Sequence, residues 1–260
     1  MIGQVHFDSL PLWGLFIVVL LIVLLSIEGG YRLGRYRLNR SAHEVEAPVG
    51  AMVGATLGLL AFMLAFTFGA AADRYDSRRQ VLLEEANAIG TTWLRADMLP
   101  DRGAEIRALL RDYVDIRLKA VQSGQIAAGM RQSEQLHSQL WTHAAALGES
   151  NPSSIVVGLF VQSLNEVIDL HTKRITVGGR NRIPGAIWLS LIGVAVLALG
   201  AMGYHSGLAA TSRSMAQLAV GLAFSMVIGL IADLDRPQEG GLTVSQQALV
   251  DLQQSMKASP

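Results

Sequence analysis

Four stretches of this 260-residue chain contain no ionisable side chain, and they constrain its fold more than any other feature. They cover residues 10–27, 48–72, 183–203 and 215–232. At about 1.5 Å of helical rise per residue, each can cross a hydrocarbon layer about 30 Å thick, the last one only just. A soluble bundle would need polar faces elsewhere to cover such helices. The sequence therefore predicts four transmembrane helices.

The first apolar run could instead belong to a cleaved signal peptide. The ten residues MIGQVHFDSL at the start contain no Lys or Arg, and no Ala-x-Ala-like cleavage site follows the run. We therefore expect this segment to remain as the first span.

The charge balance excludes several classes of protein. The chain has 21 basic and 21 acidic residues, so no global field attracts it to nucleic acid. It has no cysteine, which excludes disulfides, thiolate nucleophiles, thiolate zinc sites and iron–sulfur clusters. We expect a lipid bilayer as its surroundings, and neither nucleic acid nor a cofactor as its partner.

Most of the charge lies between the second and third apolar runs, where apolar residues recur at helical spacing. The clearest stripe contains Val157, Phe160, Leu164 and Val167, and a weaker one contains Leu136, Leu140 and Trp141. No loop signal separates Ala72 from Asp73, so the second span is expected to continue as the first helix of this region.

These patterns predict an all-α integral membrane protein. A helical soluble domain is inserted between the second and third of four transmembrane helices. The predicted divisions are spans one and two (1–72), the soluble domain (73–182), spans three and four (183–235) and a polar tail (236–260).

Enzyme motifs are missing from the sequence. It has no P-loop, no H-E-x-x-H and no G-x-S-x-G. One polar group could form a metal or acid–base site: Glu84, Glu85, Asn87, Asn165, Glu166, Asp169, His171 and Lys173. We favour a structural interpretation, in which Asp169 and Lys173 form an i,i+4 ion pair and His171 extends an apolar stripe. No catalytic activity and no metal site are predicted.

Charged residues at the ends of the spans suggest two further sites. Arg74, Arg180 and Arg182 are candidate contacts for an anion or a lipid headgroup, although the segment GGRNRIPG around the last two is typical of a flexible joint. Asp233, Asp235 and Arg236 follow the fourth span. They could bind a cation, but we favour a solvated helix end.

The second span carries the most informative spacing. Gly50, Gly54 and Gly58 recur every four residues, and the same step reaches Phe62 and Phe66. In one interpretation the glycines allow close helix packing and the rings pack in the bundle or against lipid. In the other, several copies surround an axis and the rings close a water-poor constriction. Spacing alone favours the first.

A resemblance favours the second. The segment FMLAFTFGAAADRY (62–75) resembles the second membrane helix of bestrophins, in which two phenylalanines four apart precede an arginine and an aromatic residue. The order of spans is similar, as is Ile183-Pro184 before the third span. The run DRYDSRRQVLLEEANAIGTTWLRADMLP also resembles the bacterial bestrophin-like domain family. This second resemblance is closer and extends over nearly the whole chain.

Bestrophins are pentameric anion channels, so the resemblance implies a homopentamer that conducts small inorganic anions. It places Phe62, Phe66 and Gly58 in a pore neck and Ile183 at a second constriction. Two departures stand out. The outermost neck position is Gly58 instead of a branched aliphatic residue, and the calcium-binding acidic run is reduced to Asp233 and Asp235. Calcium gating is therefore not predicted.

The membrane orientation is open on the residues alone. The short loops carry Arg32, Arg35, Arg37, Arg40 and Arg213, which places those loops in the cytoplasm by the positive-inside rule. Basic residues also flank the membrane on the opposite side. The resemblance implies a bacterial inner-membrane protein with a cytoplasmic soluble domain and cytoplasmic termini. The alternative function is a non-conducting membrane protein whose helical domain binds a partner or senses stress.

Overall fold

The computed structural model describes residues 10–40, 46–99, 101–211, 214–237 and 240–258. Within these ranges the regular elements are eight α-helices and one π-helical turn, in agreement with the predicted all-helical class. The helices are α1 (Leu12–Arg40), α2 (Glu46–Asp97), α3 (Gly103–Ser123), α4 (Ile126–Ser150), α5 (Ile155–Ile175), α6 (Gly185–Leu208), α7 (Met215–Asp235) and α8 (Gln247–Ala258).

The chain divides into two compact units. The span unit comprises Met1–Tyr75 and Arg182–Thr243, and the charged unit comprises Asp76–Asn181 and Val244–Pro260. Helix α2 is continuous across the boundary, as the missing loop signal after Ala72 predicted. Four helices are long and apolar enough to cross a membrane: α1, α2, α6 and α7. They contain the uncharged runs of the sequence except residues 10–11 and 183–184, which lie just before α1 and α6.

The core of the span unit forms where one apolar stripe of each span meets the others. On α1 this stripe is Leu15, Val19, Val23 and Ile27, at the four-residue spacing of a single helical face. Its partners include Leu60 and Leu64 of α2, Leu191 and Leu199 of α6, and Ile228 and Ile231 of α7.

Helices α1 and α6 approach each other at the level of their backbones. A Cβ atom added to Gly30 would collide with the carbonyl oxygen of Gly200, and one added to Gly203 would collide with that of Ile27. Glycine is therefore required for this approach, which is a common way to pack helices in a membrane. This contact between α1 and α6 was not predicted, because the glycine spacing taken to indicate close packing lies on the second span.

The charged unit has its own core, built from α3, α4, α5, α8 and the last part of α2. The predicted stripe Val157, Phe160, Leu164 and Val167 is buried. The prediction for α4 is only partly right, because Trp141 is exposed while Leu136 and Leu140 are buried. Helix α8 adds Leu249 and Met256 to this core, so these residues of the polar tail are core residues.

Candidate pore face and charged networks

Helix α2 presents Phe62 and Phe66 on the side that its own protomer leaves open. The two side chains are 68% and 74% exposed, whereas Leu60 and Leu64 are buried against the other spans. At about 100° per residue, Phe62 lies roughly 160° around the helix from both of these leucines. The rings therefore face away from the core of the span unit.

Gly58 continues this open face one turn before Phe62. A Cβ atom added to Gly58, Gly54 or Gly69 would meet nothing within 4 Å. Gly50 differs, because its Cβ would lie 3.1 Å from Nε2 of His205. Within one protomer no helix thus packs closely on Gly54. The helix-packing role predicted for Gly50 and Gly54 stays a prediction.

Two of the three candidate anion-binding arginines are engaged within their own protomer. Arg74 is half-buried, and its Nη1 donates to the carbonyl oxygen of Ala70 at 2.9 Å. Arg182 donates from Nε to Oδ2 of Asp235 at 3.1 Å. The side chain of Arg180 lies outside the described part of the chain. Of the segment predicted as a flexible joint, residues 178–180 belong to a π-helical turn, Thr176–Arg180, that extends α5.

The acidic end of α7 is not solvated, which corrects the favoured interpretation. Asp235 is only 4% exposed. Its Oδ1 accepts from the backbone N–H of Ile183 at 2.9 Å, in addition to the ion pair with Arg182. Arg236 is also buried, and its Nη2 donates to the carbonyl oxygen of Leu10 at 2.7 Å. This network ties the start of α6 and the entry to α1 to the end of α7, because a buried carboxylate needs charged or N–H partners.

Ile183 belongs to the same network. Its side chain is 6% exposed and packs in the core of the span unit, together with Trp188 and Leu234. The predicted second constriction at Ile183 stays a prediction, and it would require this side chain to turn out of its own core.

A second charged network lies in the core of the charged unit, centred on Glu85. This carboxylate is 0% exposed. It accepts from the Tyr113 hydroxyl at 2.7 Å, from Arg117 at 3.3 Å and from Nη1 of Arg174. Arg174 also donates from Nη2 to Gln246 of the C-terminal segment at 2.8 Å. Two guanidinium groups thus share one buried carboxylate, and the network joins α2, α3 and α5.

Two histidines border this network. The rings of His137 and His171 meet edge to face, with centroids 4.8 Å apart. Because the Tyr113 O–H donates to Glu85, the Tyr113 oxygen must accept from Nδ1–H of His171, 3.2 Å away. Nε2 of His171 is then unprotonated in the neutral ring. Burial, together with the charge of Arg117, lowers the pKa of each histidine to about 4, so both rings are neutral at pH 7.

The predicted pairing in this region is therefore partly wrong. Lys173 donates to Glu84 at 2.9 Å, while Asp169 accepts from Asn165, so the pair Asp169–Lys173 is replaced by an ion pair between helices. Among the described residues no group of three or more His, Asp or Glu is arranged to hold a metal ion.

The predicted polar group included Glu85 and His171. It did not include the residues that surround them in the structure: Tyr113, Arg117, His137 and Arg174. One signal was available. His171 follows Val167, and Arg117 follows Tyr113, at the four-residue spacing of a buried stripe, so each stripe continues into a polar residue.

Both the sequence and the fold of this chain are similar to those of known proteins. The sequence model of a family described as Bestrophin-like domain matches residues 14–249. Two crystal structures of a bacterial bestrophin homologue from Klebsiella pneumoniae, each with one substitution, are similar to this fold. They have TM-scores of 0.67 and 0.67 at 14% and 15% identity. The first match covers 94% of this chain and 97% of the other, and the second covers 95% and 98%. No curated protein sequence matches the chain.

Proposed function

The chain belongs to the bestrophin-like domain family, and on this premise we propose that it is a pentameric channel for small inorganic anions. In this proposal Phe62 and Phe66 form the neck of a central pore in the bacterial inner membrane, and Gly58 opens the neck on its outer side. The observation that carries the proposal is the open face of α2. Two phenylalanine rings, 68% and 74% exposed, point away from the core of their own protomer.

A ring of copies would give this face a physical role. A phenylalanine ring has a positive edge, so rings presented edge-on around an axis offer weak favourable contacts to an anion. A constriction without polar groups also closes by losing its water, so large and weakly hydrated anions should pass best. Residues 48–72 supply no charge to this part of the pore.

The remaining parts of the proposal concern the rest of the chain. The charged unit forms a soluble domain inserted between the second and third spans, and it lies in the cytoplasm together with both termini. Gly50 lets α6 approach α2 beside His205, and Gly54 packs against a helix of a neighbouring copy. Arg74, Arg180 and Arg182 contact small anions or lipid headgroups at the ends of the spans.

Efflux from liposomes tests the neck. Purified protein is reconstituted with chloride or iodide inside, and Phe62→Ala/Phe66→Ala is compared with the natural chain. We expect the double variant to increase efflux of both anions and to reduce the preference for iodide, because the apolar constriction is removed. The matched control is Leu189→Ala/Leu197→Ala, which truncates two α6 side chains that are 75% and 72% exposed. Equal efflux from both double variants would contradict a neck at Phe62 and Phe66.

The oligomeric state tests the pore axis independently. Native mass spectrometry of the protein in detergent should give five copies. A monomer or dimer that shows no efflux would contradict the channel and favour the alternative, a non-conducting membrane protein whose helical domain binds a partner or senses stress.

A further inference from the structure

Four neighbouring side chains in the core of the charged unit each carry a polar atom that no atom of the described residues pairs with: Nε of Arg117, Oγ of Ser133, Nε2 of His137 and Nε2 of His171. None of these residues is more than 8% exposed. Buried polar groups in folded proteins are paired with protein or with ordered water, because a group that loses its water without a replacement costs free energy. These four atoms therefore indicate a partner that is not part of the chain.

The four atoms belong to one cluster on α3, α4 and α5. Two contacts set the register of the antiparallel helices α3 and α4: Gly129 with Ala120, and the ring of His137 with that of Tyr113, 4.8 Å away. Ser133 lies midway between the two α4 residues, and Arg117 lies between the two α3 residues. The register therefore places Ser133 opposite Arg117. His171 of α5 completes the cluster, with its ring centroid 4.8 Å from that of His137.

The hydrogen-bonding capacity of this cluster is mixed. Nε–H of Arg117 can only donate. Nε2 of His171 can only accept while the ring is neutral, because Nδ1 carries the hydrogen that the Tyr113 oxygen accepts. The Ser133 hydroxyl can do either. A metal cation cannot accept from Arg117, and a halide has no hydrogen to donate to His171, whereas a water molecule does both.

We propose that Arg117, Ser133, His137 and His171 form a binding site for ordered water in the core of the charged unit. Water in this site accepts from Nε–H of Arg117 and donates to Nε2 of His171. The Ser133 hydroxyl supplies a third partner, and about three partners are usual for a buried water. This inference does not depend on ion conduction.

The site would connect α4 to the ionic network around Glu85. Among the described residues, no hydrogen bond joins α4 directly to that network, and the ring of His137 only packs against that of Tyr113. Arg117 in turn pairs with Glu85 at 3.3 Å. Water held between Arg117 and Ser133 therefore extends the network from α2, α3 and α5 to α4.

Two matched serine variants test the site by the sign of a stability change. Ser133→Ala and Ser163→Ala each remove a buried hydroxyl from a helix of the charged unit, and Oγ of Ser163 has a protein partner, the carbonyl oxygen of Phe160 at 3.0 Å. Thermal melting of the full chain in detergent should show a lower Tm for both variants, by about 2–5 °C, because each hydroxyl had a bonded partner. A higher Tm in Ser133→Ala than in the natural chain would show that this hydroxyl has no partner, and would overturn the site.

Added ions test the identity of the occupant. Melting is repeated with zinc chloride, or with sodium iodide in place of sodium gluconate at equal ionic strength, for the natural chain and for His171→Gln. Water as the occupant predicts the same ion-induced shift in both proteins. A rise in Tm that Zn²⁺ or iodide causes in the natural chain, and that His171→Gln abolishes, would show that the cluster binds an ion and would overturn the inference.

A high-resolution crystal structure locates the water directly. A density peak is expected about 2.7–3.2 Å from both Nε of Arg117 and Nε2 of His171. Well-resolved side chains with no peak between them would contradict the site.

Discussion

The span unit and the charged unit differ in which side chains they expose and in how their helices meet. The span unit leaves large apolar side chains exposed on its outer surface, Leu25, Leu189 and Leu197 among them, and joins α1 to α6 through backbone contact at glycines. The charged unit buries large side chains such as Tyr113 and Phe160, and encloses the ionic network around Glu85.

This difference is the one expected if the span unit lies in lipid and the charged unit in water. In lipid, apolar side chains gain little by leaving the surface, so packing depends on how closely backbones can approach. In water, apolar burial stabilises the fold, and a buried carboxylate is tolerated only when its partners are complete. In the charged unit, an exposed apolar side chain therefore suggests a functional role. In the span unit contact with lipid also explains such exposure, so a role has to be tested by function.

The largest effect is expected in the ionic network. Glu85→Gln leaves Arg117 and Arg174 buried without a counter-charge, which should cost about 3–5 kcal/mol of unfolding free energy. The neighbouring Glu84→Gln removes only the exposed pair with Lys173 and should cost less than about 1 kcal/mol. Chemical denaturation followed by Trp93 fluorescence measures both variants. Similar costs for the two would show that the buried network does not stabilise the charged unit.

The next effect concerns the glycine contact. Gly203→Ala places a Cβ atom against the Ile27 carbonyl and should destabilise the span unit by about 2–3 kcal/mol, since neither backbone can yield locally. Gly193→Ala on the same helix meets nothing within 4 Å and serves as the control. Hydrogen exchange should increase in α1 and α6 of the first variant alone. Unchanged protection in Gly203→Ala would contradict the close approach.

The third effect is a pH dependence of the charged unit. His137 and His171 have a pKa of about 4 when folded, and an ordinary histidine in the unfolded chain has about 6.5. The unfolded state therefore binds more protons between these values. Their contribution is fully present above about pH 6.5, declines as the pH falls and reaches its limit near pH 4.

Thermal melting across this pH range measures the loss. The variant His137→Gln/His171→Gln should show a flatter stability profile between pH 6.5 and 4. The same slope in the variant and the natural chain would assign the titration to other groups.

The sequence predicted those features that depend on neighbours along the chain. The four spans and the stripe from Val157 to Val167 are local patterns, so composition and spacing were sufficient. The Glu85 network was not predictable, because Arg174 and Tyr113 lie 89 and 28 residues away from Glu85 in sequence. For the same reason, Asp235 was expected to be solvated.

Glycine spacing shows the limit most clearly. Gly54 and Gly58 on α2 have the same four-residue step as Gly30 and Gly34 on α1, yet only the second pair contacts another helix within the protomer. The helix that approaches a stripe of small residues is set by tertiary structure, and the sequence does not encode it locally. We predict that the glycines and rings of α2 meet a second copy, and the local sequence does not encode this contact either.

Thiol modification tests the central claim, that the open face of α2 lines an aqueous pore. The chain has no cysteine, so Phe66→Cys and Leu197→Cys each introduce a single reactive site at a position whose side chain is about equally exposed in the protomer. A charged, water-soluble methanethiosulfonate reagent should react at position 66 and change ion flux, and should neither react at position 197 nor alter flux there. Equal protection of both cysteines, or reaction at 66 without a change in flux, would contradict the pore face.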